Sequence, residues 1–198
     1  MGKESEASER KLKKFLGLLK VNPMIPAVRE PGVDLERALA GDHAAIFVLG
    51  GDVFEVLRMV KRKYRRPSIF INVDTVGGIA ADASGIKFLA EEVDGIITTH
   101  RNVVEAARGT GVVTVQRLFA IDSSALGRGM RLVKSADPDC IEILPAVAYP
   151  EVAAEYGGQL EKPVLAGGLV RDFKTASRIV EAGAVGISTS ERILWKLA

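Results

Sequence analysis

The chain has 198 residues, of which 47% are hydrophobic and 26% charged, with a formal net charge of +2. These are the proportions of one folded, water-soluble domain; they exclude wholesale disorder, and the charge balance is too mild to mark a nucleic-acid binder by itself. One cysteine, Cys140, and two histidines, His43 and His100, exclude an intramolecular disulfide, a thiolate zinc cage and a histidine-rich metal centre.

The chain opens with MGKESEASERKLKKFLGLLK. Leu12, Phe15, Leu16 and Leu19 recur at helical spacing, which predicts an amphipathic helix over residues 1–20 that covers one end of a domain spanning 21–198. The apolar stretch Phe15–Leu19 is too short for a secretory signal, and no apolar run reaches about 18 residues, so the expected compartment is the cytoplasm and no membrane association is expected.

Eight short runs rich in Val, Ile and Ala follow: Met24–Arg29, Ala44–Leu49, Ser68–Asp74, Gly95–Thr99, Val112–Arg117, Cys140–Pro145, Pro163–Gly168 and Ala184–Thr189. Most are continuously apolar, as strands of a parallel sheet covered on both faces are. Between them lie helical stripes: Val53, Val56, Leu57 and Val60; Ile86, Leu89, Ala90 and Val93; Ala176, Ile179 and Val180, closed by Gly183. A long helix is expected within Asp122–Ala136, and a last one over Ser190–Leu197 with Ser190 as its cap. Strand and helix alternating eight times predicts an α/β fold, a compact single-domain (β/α)8 TIM barrel with an extra N-terminal helix. An open doubly wound sheet is the alternative; the count of eight favours closure.

In such a barrel, ligands bind where the strands end. Gly167 and Gly168 stand at the end of the seventh strand; Ser188, Thr189 and Ser190 close the eighth. Glycines admit an anion to backbone N–H groups, a following helix N-terminus adds positive potential, and hydroxyls add donors, so this pair of loops reads as a phosphate site. Arg29, Arg101, Arg117 and Arg171 fall at strand ends and can bind an anion or pair with Asp74, Asp122 and Glu142 on the same rim. Those acids could equally be general bases or hydroxyl acceptors. No lysine ends a strand, which argues against a Schiff-base aldolase, and His43, placed before the second strand, belongs to the opposite end. Cys140 reads as a buried core thiol.

An ordered series of segments runs from Pro26-Ala27-Val28-Arg29 and Val73-Asp74 to Gly95–Thr99 with Arg101-Asn102. It continues through Gln116-Arg117, Ile121–Ser124, Ile141–Pro145, Ala166–Gly168 with Arg171, Ser188–Ser190 and Leu194–Lys196. This series resembles the glycerol-3-phosphate-responsive antiterminators, regulators of glycerol-uptake operons. The resemblance implies a barrel without a catalytic step or a cofactor that binds glycerol 3-phosphate, or a similar phosphorylated polyol, and acts on leader mRNA to prevent termination. By that resemblance Gly167, Gly168, Ser188, Thr189 and Ser190 would hold the phosphate, and Arg117, Asp122, Glu142 and Arg171 would surround the polyol, with Asp74 nearby. The chain departs from the family at Asn72, where a histidine is usual, and at Asp74–Gly78, where an Asp-Leu-Ile turn with another histidine is usual. Two basic runs, Lys61, Arg62, Lys63, Arg65 and Arg66, and Arg10, Lys11, Lys13 and Lys14, could contact RNA phosphates, the first being the candidate RNA surface; the plainer reading of such a run is a solvated face that complements a helix dipole. A homo-oligomer is left open. The rival reading is an isomerase, epimerase or lyase acting on a small phosphosugar through a rim carboxylate; a third is a barrel that keeps the ligand site and has lost its RNA activity.

Overall fold

A computed structural model describes residues 3–62 and 66–196 of the chain. All eight expected strands form: β1 (Met24–Val28), β2 (Ala45–Val48), β3 (Ser68–Asn72), β4 (Gly95–Thr98), β5 (Val113–Phe119), β6 (Cys140–Leu144), β7 (Val164–Gly167) and β8 (Gly186–Thr189). Every neighbouring pair is parallel, and β1 pairs with β8 through Ile25 and Ser188, so the sheet closes into a barrel. The helices are α1 (Lys3–Leu19), α2 (Val33–Ala40), α3 (Val53–Lys61), α4 (Ala83–Glu92), α5 (Arg101–Ala107), α6 (Ser123–Ala136), α7 (Tyr149–Tyr156) and α8 (Phe173–Glu181). β5 runs two residues past the expected end because Leu118 and Phe119 continue the ladder with Ile143 and Leu144 of β6.

Strand alternation splits the apolar residues into two layers. One set, including Val28, Ile46, Val48, Ile69, Ile71 and Ile96, faces outward against Leu35, Val56, Val60, Ile86 and Leu89 of the helices. The other, Ile25, Phe47, Phe70, Ile97, Val113, Val115, Cys140 and Leu165, fills the barrel and meets Phe15 and Leu19 of α1. Phe15 stacks on Phe70 with ring centroids 4.7 Å apart, and Phe70 on Phe47 at 5.3 Å. Burying Phe15 and Leu19 stabilises the docking of α1 by about 1.5–3 kcal/mol each. Ser8 Oγ donates to the Val112 carbonyl and Lys11 Nζ to that of Val93, which pins α1 across the bottom of the barrel. The bottom is therefore plugged, and the mouth at the strand C-termini stays open.

One expected element is corrected. Over Ser190–Leu197 there is no α-helix among the described residues; the chain makes only a single 3-10 turn, Leu194–Lys196. Trp195 is the reason. Its indole Nε1 donates to the Thr189 carbonyl at 2.8 Å, and Leu194 and Trp195 are both buried. The ring folds back onto the end of β8, and the segment that carries it turns tightly instead of running on as a helix.

Candidate functional site

Interior-facing residues at the top of the barrel and the loops above them enclose a cleft of about 450 Å³. Its wall includes Arg29, Asn72, Arg117, Leu144, Gly168, Arg171, Ser188, Thr189 and Ser190. The cleft thus gathers residues from the β1, β3, β5, β6, β7 and β8 ends, which lie far apart in sequence.

At its floor, Glu142 is completely buried. One carboxylate oxygen accepts from Arg117 Nε at 2.6 Å and the other from Ser188 Oγ at 2.5 Å, tying β5, β6 and β8 together. Gly167 stands beside this trio: a Cβ there would run into Ser188 Oγ and Glu142 Oε1. The space that a side chain at residue 167 would need is already filled by the acid and the hydroxyl. The Ser188 hydroxyl hydrogen is committed to Glu142, which removes it as a donor for an anion.

Thr189 is engaged as well. Its hydroxyl donates to the Val170 carbonyl at 3.0 Å and accepts from the Glu191 N–H at 3.1 Å, so it clasps the β7 loop to the β8 loop. The donors left over belong to the backbone. The N–H groups of Leu169, Val170, Arg171 and Ser190 make no hydrogen bond to another described residue. The first three are presented by a turn in which Gly168 and Leu169 both take left-handed φ, 82° and 62°; the Ser190 N–H follows β8. Glycine adopts that conformation freely; leucine does so at a cost, and strain of this kind collects at binding sites.

The helix N-termini contribute less than the sequence suggests. Asp172 caps α8 by accepting from Thr175 N and Oγ1, bonds that hold its carboxyl below the usual range. After β8 there is only the 3-10 turn. An anion here would therefore be met by loop amides and guanidinium groups rather than by a helix dipole.

Arginine supplies the charge. Arg117 uses only Nε on Glu142, so its two terminal nitrogens have no partner among the described residues. Arg29 and Arg171, both exposed, line the cleft and form no ion pair among the described residues. Arg101 instead pairs with Glu105 on its own helix at 2.7 Å. Asn72 is buried, and its Oδ1 accepts the Asp74 N–H, which leaves the amide Nδ2 without a described partner on the cleft wall.

The remaining sequence candidates lie elsewhere. Asp74 accepts from Thr98 Oγ1, Thr99 N and Thr99 Oγ1 at 2.6–2.8 Å, so its carboxylate fastens the end of β4. Asp122 is exposed and caps α6 through the Ala125 N–H. Of the basic run, Lys61 pairs with Glu92 and Arg66 with Asp94 near the closed end of the barrel. Arg62 is exposed at the end of α3, and Lys63 and Arg65 lie outside the described residues. His43 is buried with Nδ1 unpartnered, and its pKa is lowered by desolvation. Cys140 is buried among Phe70 and Leu165, which pushes its thiol up to about 12. Sequence reading missed Leu169, which nothing but its left-handed backbone marks, and it noted Asn72 only as a departure. The alternation of β3 is what turns Asn72 inward.

Among the described residues no helix is long and apolar enough to cross a membrane, and no group of three His, Cys, Asp or Glu side chains converges as a metal site.

The fold and the cleft together define a (β/α)8 barrel with an arginine-lined cleft at the strand C-termini. The family model of the glycerol-3-phosphate responsive antiterminators matches residues 24–195, and the chain belongs to that family. It is 36% identical over 187 residues to YgcP of Escherichia coli (strain K12), covering 93% of this chain and 97% of that protein. The crystal structure of the glycerol uptake operon antiterminator regulatory protein from Listeria monocytogenes superposes with a TM-score of 0.81, 32% identity, and coverage of 89% of this chain and 96% of that one. A glycerol uptake operon antiterminator-related protein from Thermotoga maritima gives a TM-score of 0.75, 30% identity, and coverage of 88% and 98%.

Proposed function

We propose that this protein senses glycerol 3-phosphate, or a similarly small phosphorylated polyol, and in the ligand-bound state acts on leader mRNA to prevent transcription termination. The observation that carries the ligand half is Arg117: held through Nε by a buried carboxylate, it stands with unengaged terminal nitrogens beside the unpaired N–H groups of the β7 and β8 loops. A phosphate would take charge-assisted bonds from Arg117 and Arg171 and backbone bonds from the turn that starts at Gly168. Asn72 and Ser190 would meet the hydroxyls. Gly167, Ser188 and Glu142 would act from behind, by keeping Arg117 in place, and Thr189 by joining the two loops.

The reading includes no chemical step. The two acids best placed to be bases are both occupied, Asp74 by Thr98 and Thr99 and Glu142 by Arg117 and Ser188. Ligand would draw the loops after β5, β7 and β8 around one anion. It favours the RNA-competent state only to the extent that it binds that state more tightly. Membership of the antiterminator family supports the transcript half.

Titration calorimetry with glycerol 3-phosphate and with glycerol tests the ligand half. Saturable heat with the phosphorylated compound, absent with glycerol and abolished by Arg117→Met, is expected. Heat that is equal for both compounds, or unchanged in the variant, overturns it.

A further inference from the structure

We propose that the leader RNA docks in the groove between α6 and α7 on the flank of the barrel, with its phosphates on the outer face of α6 and an unstacked base against Tyr156. This inference rests on the antitermination reading and assigns it a surface.

The groove encloses about 440 Å³, and Leu118, Met130, Ile141, Leu160 and Tyr156 give it an apolar lining suited to a flat base. Unpaired bases are held by stacking on aromatic side chains, while the backbone follows positive charge. Here the positive charge is on α6. Arg128, Arg131 and Lys134 are exposed and follow one another at three-residue steps, about 4.5 Å apart along the helix axis. α6 contains no acidic residue, and none of the three cations forms an ion pair among the described residues. Like charges on one helix face repel each other, and a polyanion relieves that repulsion. On the far side, Asp137 is neutralised by Lys162 at 2.7 Å, Glu161 faces Arg131 and Lys134, and Glu155 accepts from the Tyr156 hydroxyl.

Gly127 adds a second observation. It lines the groove in mid-helix, where glycine weakens a helix relative to alanine. Packing does not require it: a Cβ there would meet nothing nearer than Arg131 Nη1 at 3.8 Å. Two residues on, Gly129 is needed, since a Cβ would press on Leu118. The bare backbone at Gly127 opens the groove wall to close approach.

The groove and the cleft also share two strands. Arg117 lines the cleft while Leu118, the next residue, lines the groove; Glu142 holds Arg117 while Ile141, its neighbour, lines the groove. Successive strand residues face opposite sides, so a ligand that moves Arg117 moves the floor of the groove and, through Gly129, α6. In the basic run at the end of α3, Lys61 and Arg66 are already engaged with Glu92 and Asp94.

The test uses the full chain and a labelled single-stranded RNA pool of random sequence. Binding is followed by fluorescence polarisation at low salt, with and without glycerol 3-phosphate, and contacts are mapped by ultraviolet crosslinking and peptide analysis. The double variant Arg131→Glu, Lys134→Glu is expected to lose RNA affinity by about tenfold or more while keeping its thermal stabilisation by glycerol 3-phosphate. Tyr156→Ala should weaken binding and Tyr156→Phe restore it, and crosslinks should fall on α6 and on residues 156–162. If the wild type binds RNA and the double variant binds it equally, or if crosslinks fall only on residues 61–66, the groove is overturned and antitermination stands. If the wild type binds no RNA in either condition, antitermination falls and takes the groove with it.

Discussion

Arg117 and Glu142 meet at 2.6 Å on adjacent strands, with the acid wholly buried and the arginine mostly so. A buried pair of this kind adds little net stability over an apolar substitute, because both charges leave water; breaking it strands one charge, which costs about 3–5 kcal/mol. Its use here is geometric, since it fixes the guanidinium at the floor of the cleft.

Glu142→Gln is accordingly expected to lower the free energy of unfolding in urea by about 3 kcal/mol, whereas the paired change Arg117→Met, Glu142→Leu recovers most of that loss. The paired variant should still fail to bind glycerol 3-phosphate by calorimetry. Near-wild-type stability of Glu142→Gln would show that Arg117 finds another partner or reaches water.

Ligand binding should raise the melting temperature. Glycerol 3-phosphate at about 100 times its dissociation constant contributes about 2.7 kcal/mol, or roughly 5–10 °C for a domain of this size, and glycerol much less. Gly168→Val should abolish the shift. Its φ of 82° is left-handed, so a β-branched residue reshapes the turn that presents the amides. A full shift in that variant would place the anion elsewhere.

Two glycines should respond oppositely to alanine. At Gly167 the added methyl collides with Ser188 and Glu142, so Gly167→Ala should destabilise by about 1–3 kcal/mol and disturb ligand binding. At the exposed Gly17 of α1 nothing lies within 4 Å of the added Cβ, so Gly17→Ala should stabilise by up to about 1 kcal/mol. Chemical denaturation of both variants decides the matter.

Cys140 predicts an alkaline slope. Burial pushes its thiol up from 9.0 to about 12 in the folded chain. Between those pH values the unfolded state has lost a proton that the folded state keeps, so stability falls as pH rises, by about 1.4 kcal/mol per unit at most. Below pH 9 this contribution is flat. Cys140→Ala removes it, so the difference between the two proteins should narrow or reverse from pH 9 upward in urea titrations. Parallel curves would mean that the thiol ionises in place.

Much of this molecule is legible in one dimension. Eight apolar runs separated by amphipathic stripes specify a parallel barrel, because only strands buried on both faces read as continuously apolar. Phe15 and Leu19 at helical spacing announce a helix that must bury one face. Strand order also indicates which residues reach the rim, and so Arg117, Gly168 and Arg171 could be named in advance. What the order of residues does not contain is the competition among them. Ser188 is a free hydroxyl in the sequence and a bonded one in the fold, because Glu142 arrives from a strand 46 residues away. Asp74 is an acid available for chemistry until Thr98 and Thr99 close on it. Trp195 replaces an expected helix with a turn by reaching back to Thr189. Local periodicity decides where strands and helices begin, since that depends on each residue's own neighbours. Which polar groups remain unengaged depends on partners brought within 3 Å by closure of the barrel, and that only the tertiary structure decides.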